Sequence, residues 1–212
     1  MIILLLIIGS LKVAAVDFDR MQNVLTQRFG MVAAGPFREW QRLLQDSAEQ
    51  PVQAQIKRVN DFFNRRVKFD DDQVIWSQSD YWATPMETLG KGSGDCEDFA
   101  IAKYFTLLVL GVPDERLRLV YVQARLGGVN SSITQAHMVL AFYPASEVEP
   151  LILDNLINDL QPASRRPDLQ PVFSFNSVGI WQGASGARGA GGPASLSRWQ
   201  ELLRRARAEG FD

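Results

Sequence analysis

The residue types best suited to covalent chemistry are also the scarcest: the 212-residue chain holds one cysteine, Cys96, and one histidine, His137. Cys96 directly follows Gly94-Asp95, where the pattern predicts the first turn of a helix. Unpaired backbone N–H groups and the positive end of the helix dipole favour a thiolate there. The same N–H groups are suited to stabilising an oxyanion on an attacked carbonyl. His137 opens one predicted strand and Asp154 closes the next. If those strands are neighbours packed beside the helix start, Cys96, His137 and Asp154 can align as nucleophile, base and orienting acid. Taken singly, each has a plainer reading. A lone cysteine is usually a small buried hydrophobe, a lone histidine an ordinary surface or core residue, and Asp154-Asn155 a turn. Jointly, the three positions are much harder to explain by accident.

The acidic cluster Asp95-Cys96-Glu97-Asp98 is the second signal. Asp95 makes a good N-cap with Asp98 at N3, so a helix start alone accounts for it. Yet carboxylates flanking a nucleophilic thiol raise its pKa unless positive charge offsets them. A calcium ion, which prefers oxygen ligands, would do so and would tie the preceding glycine-rich GKGSG loop to the helix. Asp95 and Glu97 are the first candidate ligands, Asp98 the next, and Asp80, upstream in an aromatic loop, a further one. The run Asp70-Asp71-Asp72 invites an EF-hand reading, which fails: Ile75 stands where glycine is required and Tyr81 where the closing glutamate belongs. A solvated loop is expected there.

The elements that must position these residues follow from periodicity. Asp17–Gly30, Pro36–Gln50 and Pro51–Val67 read as helices, the third with Ile56, Val59, Phe63 and Val67 at spacings of three and four. Trp76–Gly94 reads as a loop. Asp95–Leu110 is a strong helix stopped by Gly111 and Pro113. Beyond it Leu117–Ala124, His137–Tyr143 and Leu151–Leu153 are β-rich, with shorter strands at Pro171–Asn176 and Gly179–Trp181. A linker, GASGARGAGGP, precedes an amphipathic, arginine-rich helix over Ser195–Glu209, and its glycines are not in P-loop order. The order predicts an α+β fold, with helices, a central helix and an antiparallel sheet.

Composition excludes several classes. One cysteine cannot form an internal disulfide, and with one histidine it cannot build an ordinary structural zinc site. Lys+Arg 22 against Asp+Glu 24 leaves no electrostatic footprint for nucleic acid. Met1–Ile8 (MIILLLII) is too short to span a bilayer, but resembles the hydrophobic region of a signal peptide with Val13 and Ala15 at the cleavage site. No basic residue precedes the run, and Lys12 follows it. The expected organisation is therefore a signal peptide at 1–15, a globular domain at 16–182, a linker at 183–194 and a C-terminal helix at 195–212.

Trp82-Ala-Thr-Pro85, Gly94-Asp-Cys-Glu-Asp-Phe-Ala-Ile-Ala-Lys-Tyr104, Ala136-His-Met-Val-Leu140 and Leu153-Asp-Asn-Leu156 together resemble the bacterial transglutaminase-like cysteine proteinases. Ser164-Arg165, Asp168 and Pro171-Val-Phe-Ser-Phe-Asn176 continue the match, which covers about residues 36–181. The resemblance implies a papain-like, transglutaminase-like fold with a Cys-His-Asp triad at Cys96, His137 and Asp154. It also implies calcium dependence centred on Asp95 and Glu97. The substrate it implies is the N-terminal region of a very large surface adhesin, cut next to paired alanines in the periplasm to disperse a biofilm. The regulator it implies is an inner-membrane cyclic-di-GMP receptor that sequesters the protease through a periplasmic domain. The sequence departs from the family in its weak signal peptide and in the glycine-rich insertion. Two rivals stand beside this reading: transglutaminase or amide acyl transfer on the same triad, and a non-catalytic binding module with an inert Cys96.

Overall fold

The computed structural model describes residues 16–127, 131–145, 148–184, 186–189 and 192–211. The expected signal peptide lies outside these residues. Three helices lead: α1 (Phe18–Phe29), α2 (Ala34–Ser47) and α3 (Val52–Arg66). The Asp17 side chain accepts from the Arg20 N–H at 2.9 Å to start α1, and Gly30, at φ +79°, ends it. Strand β1 (Lys68–Phe69), helices α4 (Asp72–Ile75) and α5 (Pro85–Lys91), strand β2 (Ser93–Gly94) and helix α6 (Cys96–Val109) follow.

Helix α5 falls inside the stretch expected to be a loop. Its cause is local: the Thr84 side chain accepts from the Glu87 N–H, Glu87 returns the bond to the Thr84 N–H, and Pro85 stands at the first helical position. That capping box was written in the sequence as Thr-Pro-x-Glu. The second correction concerns Asp70–Asp72. The segment is not a solvated loop throughout, because Asp72 begins α4 and is buried.

The second half builds one antiparallel sheet in the order β6-β5-β4-β3-β7-β8. Its strands are β3 (Leu117–Arg125), β4 (Thr134–Phe142), β5 (Leu151–Leu153), β6 (Gln161–Pro162), β7 (Leu169–Phe175) and β8 (Ile180–Gln182). Strand β4 starts three residues before His137, since Thr134, Gln135 and Ala136 pair with Arg125, Ala124 and Gln123. Those three residues are exposed and carry no apolar signal, so the pattern alone began the strand too late. Alternation sends Met138, Leu140 and Phe142 into the main core and Val139 and Ala141 into a smaller cluster.

Helix α6 is the axle of the molecule. Phe99, Ile101, Ala102, Tyr104 and Leu107 are all buried, as expected of a helix that is apolar on every side. It packs against β4, β3, α3 and α5. The last helix, α7 (Ser197–Glu209), buries Trp199, Leu202 and Ala206 in the same core. Burying a side chain such as Leu202 is worth roughly 1.5–3 kcal/mol. Arg205 of α7 ion-pairs with Glu87 of α5 and donates to the Trp82 carbonyl at 2.6 Å. No helix among the described residues is long and apolar enough to cross a membrane.

Candidate active site

The start of α6 is fixed from two directions. Asp95 caps it, its carboxylate accepting the Asp98 N–H at 3.5 Å. On the other side the parallel pair β1–β2 sets Phe69 beside Gly94, and the Asp70 N–H donates to the Gly94 carbonyl at 3.1 Å. A side chain at Gly94 has no room, because its Cβ would lie 2.7 Å from the Asp98 Cβ. Cys96 therefore occupies the first helical position, partly buried, with its Sγ–H donating to Glu97 Oε2 at 2.8 Å. Burial and then the Glu97 charge push the thiol up, while the Met138 backbone N–H on β4 pulls the other way.

His137 and Asp154 meet as neighbours across β4 and β5. His137 Nε2 lies 2.8 Å from Asp154 Oδ1, which also accepts the Leu156 N–H at 3.0 Å. Asp154 Oδ2 accepts from Arg166 at 2.7 Å, and Asn64 of α3 donates to the Asp154 carbonyl at 2.7 Å. Arg166 is in turn held by Asp168, at 2.8 Å and 3.0 Å. Burial alone would raise the Asp154 carboxyl, but His137, Leu156 and Arg166 outweigh it and hold it at about 2. Cys96 and His137 line one cavity of about 140 Å³, completed by Phe69, Ala124, Leu126, Gln135 and Leu156. Sequence reasoning missed Arg166. It follows a short turn at Ala163–Arg165 and only the fold carries it under Asp154.

The acids gather around the same helix start. Carboxylate oxygens of Asp72, Asp95 and Asp98 lie within 4.8 Å of one another, and Asp95, Cys96 and Glu97 form a second such group. Asp72, also missed, is aimed inward because its carboxylate accepts the Tyr81 N–H. Asp98 Oδ1 accepts the Ala83 N–H at 2.7 Å. Asp72 Oδ1 and Asp98 Oδ2 are buried without a hydrogen-bond partner. Burial first, then the charges of Glu97, Asp98 and Asp72, push the Asp95 carboxyl up to about 9. Asp98 and Asp72 are raised too, again mainly by burial. Converging carboxylates with orphaned oxygens and, among the described residues, no basic side chain paired with them are the donor set of a hard cation. Asp80 lies outside both groups. It pairs with Arg198 at 2.9 Å and lines a neighbouring groove with Trp82, Glu97, Tyr121 and Phe173.

The model of the family described as bacterial transglutaminase-like cysteine proteinase matches residues 39–167. The chain belongs to this family. Comparison with curated proteins gives no match. Among solved structures, this proteinase resembles EGTA-treated Legionella pneumophila LapG, with a TM-score of 0.77 and 39% identity over 91% of this chain and 99% of that one. Calcium-bound Legionella pneumophila LapG is similar at a TM-score of 0.74 and 40% identity, over 90% and 99% of the two chains. This cysteine proteinase thus has the α+β fold that its sequence pattern predicted, in the transglutaminase-like form that the family resemblance implied.

Proposed function

We propose that the chain is a calcium-dependent endopeptidase in which Cys96, His137 and Asp154 act as a triad. The observation that carries this reading is the His137–Asp154 bond of 2.8 Å beside a cavity that His137 shares with Cys96 at the start of a buried helix. Cys96 attacks the scissile carbonyl, and His137 accepts the thiol proton and passes it to the leaving amine. Asp154 holds the imidazole in the useful tautomer. As the first residue of α6, Cys96 has a backbone N–H with no partner inside the helix, and it serves as an oxyanion donor. When bound by Asp72, Asp95 and Asp98 beside Glu97, calcium supplies the positive charge that offsets the acids around the thiol.

The substrate we infer is the N-terminal region of a large repeat adhesin, cut in the periplasm next to paired alanines so that the adhesin is released and the biofilm disperses. The family resemblance supports this, as does an apolar cavity wall of Phe69, Ala124, Leu126 and Leu156 suited to small apolar side chains. The periplasmic domain of an inner-membrane cyclic-di-GMP receptor is the inhibitory partner in this reading. Cys96→Ala should abolish cleavage of a co-expressed adhesin N-terminal region, and retained cleavage would overturn the assignment.

A further inference from the structure

Helix α7 reaches the acidic cluster through the backbone of the loop before α5. Its Arg205 donates to the Trp82 carbonyl at 2.6 Å and to the Tyr81 hydroxyl at 2.9 Å, and it ion-pairs with Glu87. The guanidinium also stands over the Tyr81 ring, 4.6 Å from its centroid, and its Nε lies 3.7 Å from Glu201 on its own helix. The Trp82 carbonyl belongs to the same planar peptide unit as the Ala83 N–H, and that N–H donates to Asp98 Oδ1 at 2.7 Å. Tyr81 is gripped at one end and donates at the other. Its hydroxyl is bonded by Arg205 and donates to Glu87 at 2.8 Å, while its N–H donates to Asp72 Oδ2.

These two N–H groups decide which carboxylate oxygens stay open. Each takes one oxygen of an aspartate, and the other oxygen, Asp72 Oδ1 or Asp98 Oδ2, is the one buried without a hydrogen-bond partner. A carboxylate bonded at one oxygen no longer turns freely, so the placing of residues 81–83 fixes where the open oxygens lie. The loop enters from solvent, since residues 77–80 are exposed. Its other tie to α7, Asp80 with Arg198 at 2.9 Å, is an exposed pair of the kind that contributes little. Trp82 stacks on Phe175 and Thr84 is fixed by the capping box of α5. Those contacts hold a ring and the following residue; Arg205 is bonded to the Trp82–Ala83 peptide itself.

We propose that Arg205 is a positioning residue of the calcium site, holding the backbone of residues 81–83 so that Asp72 and Asp98 present their open oxygens to the ion. This deepens the calcium reading and rests on it. Arg205 acts through the backbone rather than as a counter-charge, for among the described residues no ion pair joins it to Asp72, Asp95 or Asp98. A cation on a peptide carbonyl also polarises that peptide and strengthens its N–H as a donor. The planar guanidinium fork spans a hydroxyl, a carboxylate and a carbonyl together, which the point charge of a lysine does not reproduce. Helix α7 is docked independently by its buried Trp199, Leu202 and Ala206.

Calcium affinity tests this directly. Isothermal titration calorimetry with calcium is run on the purified, chelator-stripped chain as wild type, Arg205→Met, Arg205→Lys and Arg204→Gln, with folding followed by near-UV circular dichroism. Arg204 is the control, an exposed α7 arginine paired with Glu201. Kd should rise about tenfold in Arg205→Met, roughly three- to fivefold in Arg205→Lys, and stay unchanged in Arg204→Gln. Tm of the Arg205 variants should fall further at a fixed calcium concentration than in chelator, whereas a purely structural loss would lower both equally. A folded Arg205→Met that binds calcium within about twofold of wild type would overturn the proposal. If that variant does not fold, Arg205→Lys is held to the same criterion, and failure of both to fold makes Arg205 a structural residue and overturns the proposal too. A wild-type chain that binds no calcium would sink the calcium reading itself, and the role of Arg205 with it.

Discussion

The two sides of the cavity are built on opposite electrostatic principles. On the sheet side every charge is answered: Asp154 is bonded by His137, Leu156 and Arg166, and Arg166 by Asp168. On the helix side Asp72, Asp95 and Asp98 crowd together with two oxygens unpartnered and, among the described residues, no cationic side chain bonded to them. Burial acts on both sides, yet it leaves Asp154 at about 2 and lifts Asp95 to about 9. Burial alone therefore does not decide a carboxylate's state; its partners do. One side is complete as folded, and the other is the site we propose for calcium.

The largest effect should come from breaking the complete side. Asp154→Asn keeps the shape but removes the charge that orients His137, and kcat/KM should fall on the order of a thousandfold or more with the fold retained. An activity within tenfold of wild type would show that His137 needs no such partner.

The incomplete side should respond to calcium. At a concentration a hundred times its Kd, a ligand of the folded state alone adds about 2.7 kcal/mol. Chelator should therefore lower Tm by roughly 5–10 °C for a chain of this size. Asp98→Asn should invert the pattern. In chelator it relieves repulsion and stabilises by about 1 kcal/mol, while the gain on adding calcium shrinks. Calorimetry that shows the same calcium response in both proteins would remove Asp98 from the site.

The smallest effect concerns Glu209, near the helix-packing network of Arg28, Glu87 and Arg205. Burial first, then the Glu87 charge, lifts its carboxyl to about 7, above the ordinary 4.5. A folded-state value raised in this way contributes stability in full below about 4.5, and that contribution is lost as pH rises through 7. Glu209→Gln cannot ionise, so it should match wild type near pH 4 and exceed it by about 1–2 kcal/mol at pH 8. Equal Tm values at both pH values would show that the network already neutralises Glu209.

Much of the fold was legible because its causes are local. The α6 start follows from Asp95 as cap and Asp98 three residues on, and α3 from apolar residues at helical spacing. Helix α5 was missed, because Trp76–Gly94 reads as a loop, although its local cause, Thr84, Pro85 and Glu87, stands in the sequence. The onset of β4 was not, because Thr134–Ala136 owe their extended form to pairing with β3. In the site, Cys96, His137, Asp154 and the acids of α6 could be singled out by type and by place at element ends. Asp72 and Arg166 could not, since an aspartate in an acidic run and an arginine beside another look like surface charge until the fold buries them.

By itself, the sequence determined which atoms are available for the chemistry, one thiol and one imidazole, and put the thiol at a helix start. Helix starts and caps depend on bonds spanning three or four residues, and short-range pattern is enough to place them. Only the tertiary structure decided which carboxylates are braced and which are crowded together with oxygens unpartnered. That choice depends on which distant residues share a dry interior, because a charge's cost is set by the water excluded around it and the partners brought to it.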